Sequence, residues 1–450
     1  PCWLEPGPSF AEQAFFVAAM GSGASNGVAS AVQASSQEEL RACLSGLPDA
    51  AKQKLLAAVS MPARRSLAPE KLDSATDLIR QLHGKMISCT ELVEKSLARI
   101  AATEELRACI EIYGDEARAK AMAVDNKIAA GGALGLLEGL PIVVKLNFDI
   151  AGTLTDASNP VLKGWRPNTT SPVIQALLDA GAIVVAKTNM PEMARNITCI
   201  SPLHGKCLNP VNLANTPAGS SSGTAAAIAA GIVSAGIGSD TGGSCRIPAI
   251  CTGSVGFRPS PGRYANAGCV PCVGPADTPG PLATSVRDIM LMDSVVTGTK
   301  HVLTEGSAKT DMLKGLRIAA PPDWIAEDTF VNKTVKVAWE ASIGALTEKG
   351  VEFAKEDMGE ELFMKHAYAH FFKSSWPELE AYLEPHRKSG SKHEMLDLST
   401  KDWVAKSPKD EHKVFRPPNE EPEKAKAEAE GMEAKCQGSR GGACRLLCES

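Results

Sequence analysis

Residues 216–248, TPAGSSSGTAAAIAAGIVSAGIGSDTGGSCRIP, place two Ser/Gly-rich turns on either side of an Ala-rich helix and a short apolar strand. A segment built this way can present serine hydroxyls and bare backbone N–H groups to one point. Gly223, Gly242 and Gly243 let the backbone approach a ligand closely, and glycines leading into a serine can aim successive N–H donors at a developing oxyanion. Such equipment suits acyl transfer.

The rest of the chain reads as alternating helix and strand. Residues 72–130 carry helix-like spacing of Leu, Ile and Ala, as do residues 38–60, and SCTELVEKSLARI opens with the S/T-x-x-E pattern of a capping box. PIVV and AIVVAKT read as strands, the second preceded by the helical segment SPVIQALLDAG. Alternation of this kind predicts an α/β fold, a sheet covered by helices on both faces. Beyond residue 300, GLRIAAP reads as a strand and VNKTVKVAWEASIGALTEKG as an amphipathic helix. The two ends differ in composition. Residues 1–36 are rich in Ala, Gly and Ser, with Met20 among them, and read as a disordered leader; residues 37–71 read as a helical extension. From Arg416 the chain turns Pro-, charge- and Gly-rich, so residues 416–450 read as a solvated, low-complexity tail behind a domain spanning 72–415.

Composition excludes several classes. The 450 residues are 44% hydrophobic and 22% charged with a net charge of −5, ordinary for a globular enzyme and without the basic stripe of a nucleic-acid binder. Apolar stretches such as AAAIAAGIVSAGIG fall short of the roughly 20 residues a spanning helix needs. The 13 cysteines are scattered and odd in number, which predicts reduced thiols and a cytoplasmic setting, with organellar targeting left open. Cys269-x-x-Cys272 lacks a second pair, and His366 and His370 lack an HExxH frame, so no metal site is expected at either.

The 216–248 segment resembles the signature of the amidase signature family, roughly GGSS(S/G)G, an Ala-rich helix, then G(T/S)DTGGSxRxPA. Here the two halves read AGSSSG and GSDTGGSCRIPA, with Ser244 24 positions after Ser220, and GLPIVVK places Lys145 at the end of an apolar strand 75 positions before Ser220. The similarity runs over about residues 72–300. It implies a mixed central β-sheet with helices on both faces, with the C-terminal elements of that fold truncated. It also implies Ser244 as nucleophile, Ser220 as a bridging serine in a cis conformation, and Lys145 as the terminal base. Serine is a weak nucleophile that needs a neighbouring base, and a lysine serves as one when burial keeps it neutral. The backbone N–H groups of Thr241, Gly242 and Gly243, with Ser244 as a further donor, are the implied oxyanion hole. Asp240 and Arg246 read as scaffold groups that hold the turn. The resemblance implies no cofactor or metal and a small-molecule amide as partner, and leaves a homodimer open.

Taken singly, these residues read differently. A lone GSSSG is a flexible loop, and a lone strand-end lysine is a snorkelling one. Their joint spacing is what turns the reading. The run Gly219–Gly223 also satisfies GxSxG, the nucleophile elbow with Ser221 as nucleophile, but the preceding NPVNLANTPA is not a strand. Two departures stand out: Leu146 where the family usually has Asp after its lysine, and Ala218 for the first glycine of GGSS. Within the family the wording is similar to indoleacetamide- and mandelamide-hydrolysing members, which implies hydrolysis of a small linear amide to acid and ammonia. The alternatives are the glutaminase subunit of a glutamyl-tRNA amidotransferase, whose members usually carry Gln where this chain has Ile247, and an inactive amidase-like scaffold.

Overall fold

The computed structural model describes residues 66–300, 313–319, 333–354 and 381–386. The expectations for residues 1–36, 37–65 and 416–450, and for His366 and His370, lie outside them. The described residues fall into two units, 66–300 with 381–386, and 313–319 with 333–354.

The first unit opens with α1 (Ala75–His83), which buries Ala75, Leu78 and Leu82 along one stripe. Helix α2 (Cys89–Ala102) starts in the expected capping box: Ser88 Oγ accepts from Glu91 N–H, and the Glu91 carboxylate accepts from Ser88 N–H at 2.8 Å. Then come β1 (Cys109–Ile112), α3 (Gly114–Ala129), β2 (Pro141–Lys145), α4 (Pro172–Asp179) and β3 (Ile183–Thr188). A short hairpin, β4 (Ile200–Ser201) with β5 (Gly205–Lys206), precedes α5 (Ser222–Ala229), β6 (Ala235–Asp240) and α6 (Arg246–Thr252). Strands β7 (Val255–Gly256) and β8 (Thr278–Ala283) and helix α7 (Val286–Thr297) follow.

Six of these strands form one sheet in the order β1-β3-β2-β6-β8-β7. The centre, β3-β2-β6, is parallel, while β1 runs antiparallel to β3, and β8 antiparallel to both β6 and β7. The sheet is therefore mixed. Central parallel strands are covered on both faces, which is why PIVVK and IVVAKT are apolar runs without polar alternation, buried at every position. Residues 72–130, which carry helix-like spacing in the sequence, are interrupted by β1. Its four residues CIEI carry β-branched side chains that suit an edge strand better than a helix turn.

Two apolar clusters flank the sheet. Val143 joins Ala117, Ala121, and Ala225, Ala226 and Ala227 of α5 on one face, whereas Ile142 and Val144 join Leu78, Ile174 and Met292 on the other. Side chains alternate along a strand, so Lys145, two residues past Val143, turns toward the α5 side. Helix α5, half of it alanine, is buried along its whole length. Its close approach rests on glycine: a Cβ on Gly236 would lie 2.9 Å from Thr224 Cγ2, and one on Gly238 would lie 2.5 Å from Ser221 Oγ.

In the second unit, β9 (Arg317–Ala319) pairs in parallel with β10 (Glu352–Ala354) across α8 (Lys333–Glu348), with Ile318 opposite Phe353. The strand at GLRIAAP and the helix after it fall where the sequence places them. No helix among the described residues is long and apolar enough to cross a membrane.

Candidate active site

Three chain segments converge at the C-terminal ends of β2 and β6. Strand β2 ends in Lys145, the turn into α5 carries Ser220, and the turn from β6 into α6 carries Ser244. Lys145 and Ser220 have no exposed surface, while Ser244 retains 8%. Lys145 Nζ donates to Ser220 Oγ at 2.8 Å and to Ser239 Oγ at 2.9 Å. Burial pushes the Lys145 ammonium below its ordinary value, toward the neutral amine that can take a proton.

The Gly219–Ser220 peptide bond is cis. Ser221 N–H donates to the Ser244 carbonyl at 3.0 Å, which holds the two serine-bearing turns together, but no hydrogen bond joins Ser220 Oγ to Ser244 Oγ among the described residues. Ser221 itself faces away. Its Oγ donates to Ser239 O at 3.1 Å and accepts from Ser239 N–H at 3.3 Å, so it ties α5 to β6. That placement is of no use to a nucleophile, in line with rejection of the elbow pattern.

Asp240, fully buried at the end of β6, organises the loop that follows. Its Oδ1 accepts from Gly243 N–H at 2.7 Å and its Oδ2 from Cys245 N–H at 3.1 Å, and Arg246 donates to both oxygens at 3.1 Å. Burial alone would raise the Asp240 pKa, but Arg246 and these backbone donors hold it below the usual carboxylate value. Arg258, which sequence reasoning missed, adds an ion pair to Asp240 Oδ1 at 3.4 Å.

These bonds revise the implied oxyanion hole. The N–H of Gly243 is committed to Asp240, because Gly243, at φ +125°, folds back over the carboxylate. The N–H groups of Thr241 and Gly242 meet no protein acceptor among the described residues. A side chain at 243 would also meet Ile247 Cδ1 at 2.6 Å, so glycine is required there on two counts.

The departures find local explanations. Leu146 is buried in an apolar cluster with Leu162, Met190, Met193 and Leu383. The polar neighbour it displaces is supplied one residue on, where Asn147 Nδ2 donates to Ser239 Oγ at 3.0 Å, the hydroxyl that also receives Lys145. Ala218 sits at φ +59°, a left-handed conformation that glycine adopts more cheaply. Cys269 and Cys272 are free thiols, and no group of three or more metal-ligating side chains occurs among the described residues.

Comparison with known proteins adds an independent finding. A family model described as Amidase matches residues 91–428. The chain is 39% identical over 266 residues to the A subunit of glutamyl-tRNA(Gln) amidotransferase from Anaeromyxobacter sp. (strain K), covering 56% of this chain and 54% of that protein. It is 35% identical over 301 residues to mandelamide hydrolase of Pseudomonas putida, covering 66% and 57%. The chain thus spans little more than half the length of these curated relatives. Its fold is similar to that of peptide amidase from Stenotrophomonas maltophilia, with a TM-score of 0.60 and 29% identity over 71% of this chain and 69% of that one.

Proposed function

The chain belongs to the amidase family, and from that premise we propose that it hydrolyses a small linear carboxylic amide to the acid and ammonia through an acyl-enzyme on Ser244. The observation that carries the reading is a fully buried Lys145 Nζ 2.8 Å from the hydroxyl of Ser220, whose turn is bonded to that of Ser244. Neutral Lys145 takes the Ser220 proton while Ser220 takes that of Ser244, and Ser244 Oγ bonds to the amide carbon. The electron pair of the carbonyl moves to oxygen, which faces the N–H groups of Thr241 and Gly242, with Ser244 N–H as a third donor. Collapse breaks the C–N bond. The proton held on Lys145 returns through Ser220 to the leaving nitrogen, and ammonia departs. Water then attacks the ester by the same relay in reverse. The Ser220–Ser244 link has to tighten with substrate bound, as catalytic hydrogen bonds commonly do.

A second reading is favoured by the 39% identity to the amidotransferase relative: the amide is that of glutamine, and the ammonia passes to a second polypeptide. Ammonia release from a panel of small amides that includes glutamine separates the two. The decisive test is labelling with a fluorophosphonate, followed by mass spectrometry of the adduct. We expect the adduct on Ser244, and loss of both labelling and turnover in a folded Ser244→Ala variant. Label on Ser221, or full turnover by Ser244→Ala, would overturn the assignment.

A further inference from the structure

Outside the residues already given roles, the most heavily bonded acidic group near the site is Asp277, at the turn into β8. It is only 6% exposed. Cys272 N–H donates to its Oδ2 at 2.7 Å and Val273 N–H to both oxygens at 3.1 and 3.0 Å. The remaining bond is the unexpected one: Thr241 Oγ1, from the loop that carries Ser244, donates to Asp277 Oδ1 at 2.6 Å. Arg258 ties the Asp240 carboxylate to the backbone beside Asp277, since its Nη2 donates to Ala276 O at 2.9 Å while its Nε pairs with Asp240.

From this geometry we infer that the Thr241 hydroxyl and Asp277 form a positioning pair that aims the Thr241 N–H at the substrate oxygen. The inference rests on the amidase reading above. Asp240 fixes the far half of the loop by taking the N–H groups of Gly243 and Cys245, and that leaves Thr241, Gly242 and Ser244 with unspent N–H donors. A donor is useful to an oxyanion only if its direction is set beforehand. Thr is stiff at χ1, so a short charge-assisted bond from its hydroxyl to a buried carboxylate also restrains the backbone that bears the N–H. Neither Thr241 Oγ1 nor Asp277 touches the reacting atoms. Both act through the N–H they orient.

The test compares Thr241→Val with wild type and with Thr241→Ser, using the rate of fluorophosphonate labelling at Ser244. In that reaction Ser244 Oγ bonds to phosphorus, fluoride leaves, and the serine proton passes through Ser220 to Lys145. Valine keeps the shape of threonine and leaves the Cys272 and Val273 bonds to Asp277 in place, so a purely structural role predicts an unchanged labelling rate. We expect labelling of Thr241→Val to slow about 10- to 100-fold at an unchanged urea midpoint, and serine to recover most of it. For a turned-over amide the loss should fall on kcat rather than KM. Wild-type labelling rates in Thr241→Val, with Ser244 still the labelled residue, would overturn the inference alone. Absence of any Ser244 adduct in wild type would overturn the functional reading and this inference with it. If Thr241→Val does not fold, Thr241→Ala takes its place, and loss of fold in both makes the hydroxyl structural only.

Discussion

At the scale of single residues, Lys145 is the one whose surroundings decide its chemistry. A lysine in water holds its proton at neutral pH, whereas this one is fully buried, and its Nζ donates to Ser220 Oγ and to the carbonyl and hydroxyl oxygens of Ser239. Burial lowers its pKa from the ordinary 10.5. The base works only when neutral, so turnover should rise with pH as Lys145 loses its proton, on a limb centred below the free lysine value of about 10.4. A pH–rate profile that only falls as pH rises toward that value would exclude the lysine as base. Members of one relay also fail together: the Lys145→Ala/Ser244→Ala double variant should be little slower than the worse single one, while additive losses would show independent roles. The family resemblance pointed to Lys145, Ser220 and Ser244. It did not show that Ser239 and Asn147 steady the lysine, because their contact joins residues 92 positions apart.

Among the elements, β6 and α5 are the pair on which the site is built, and their packing depends on what is missing from the strand. Gly236 and Gly238 lie on the face toward α5, and a methyl on Gly238 would lie 2.5 Å from Ser221 Oγ and 2.8 Å from Leu282 Cδ1. Gly238→Ala should therefore cost about 1–3 kcal/mol by overpacking, read as a lower urea midpoint. It should also slow turnover, because Ser221 is bonded to Ser244 O and adjoins Ser220. An unchanged midpoint would mean that α5 is free to shift. Strands β2 and β3 were legible as apolar runs and α2 as a capped helix. Edge strand β1 was not, since four residues between two helices carry no period of their own and gain strand structure only by pairing with β3.

Over the whole first unit, Asp288 is the long-range tie. From α7 it accepts from Ser74 Oγ, Thr76 N–H and Thr76 Oγ1, each at 2.8 Å, and so caps α1 from more than 200 positions away. It also accepts from Thr284 and Ser285 hydroxyls at 2.8 Å. Burial would raise its pKa, yet the Thr76 N–H and these hydroxyls hold it below the usual carboxylate value. A depressed folded-state pKa means stability that is present above the unfolded value of about 3.9 and lost as pH falls through the folded value. Asp288→Asn should destabilise the fold by about 1–3 kcal/mol at neutral pH and flatten the stability loss below about pH 4. Equal acid sensitivity in the variant and wild type, by urea denaturation across pH, would remove Asp288 from that role.

What the sequence determined by itself is local: glycines and serines at fixed spacing, apolar runs long enough for buried strands, an S-x-x-E helix start, and a lysine closing a strand. Each follows from backbone freedom, periodicity or capping within a few residues. The tertiary structure alone decided how hydrogen-bond donors are divided. Gly243 and Thr241 look alike as oxyanion donors in the sequence, but one N–H is taken by Asp240 and the other remains unspent. Leu383 likewise reaches the cluster around Leu146, though nothing near it in the sequence announces the contact. A buried donor or acceptor has to be satisfied by whatever the fold brings within about 3 Å, and that neighbour is set by packing rather than by sequence distance.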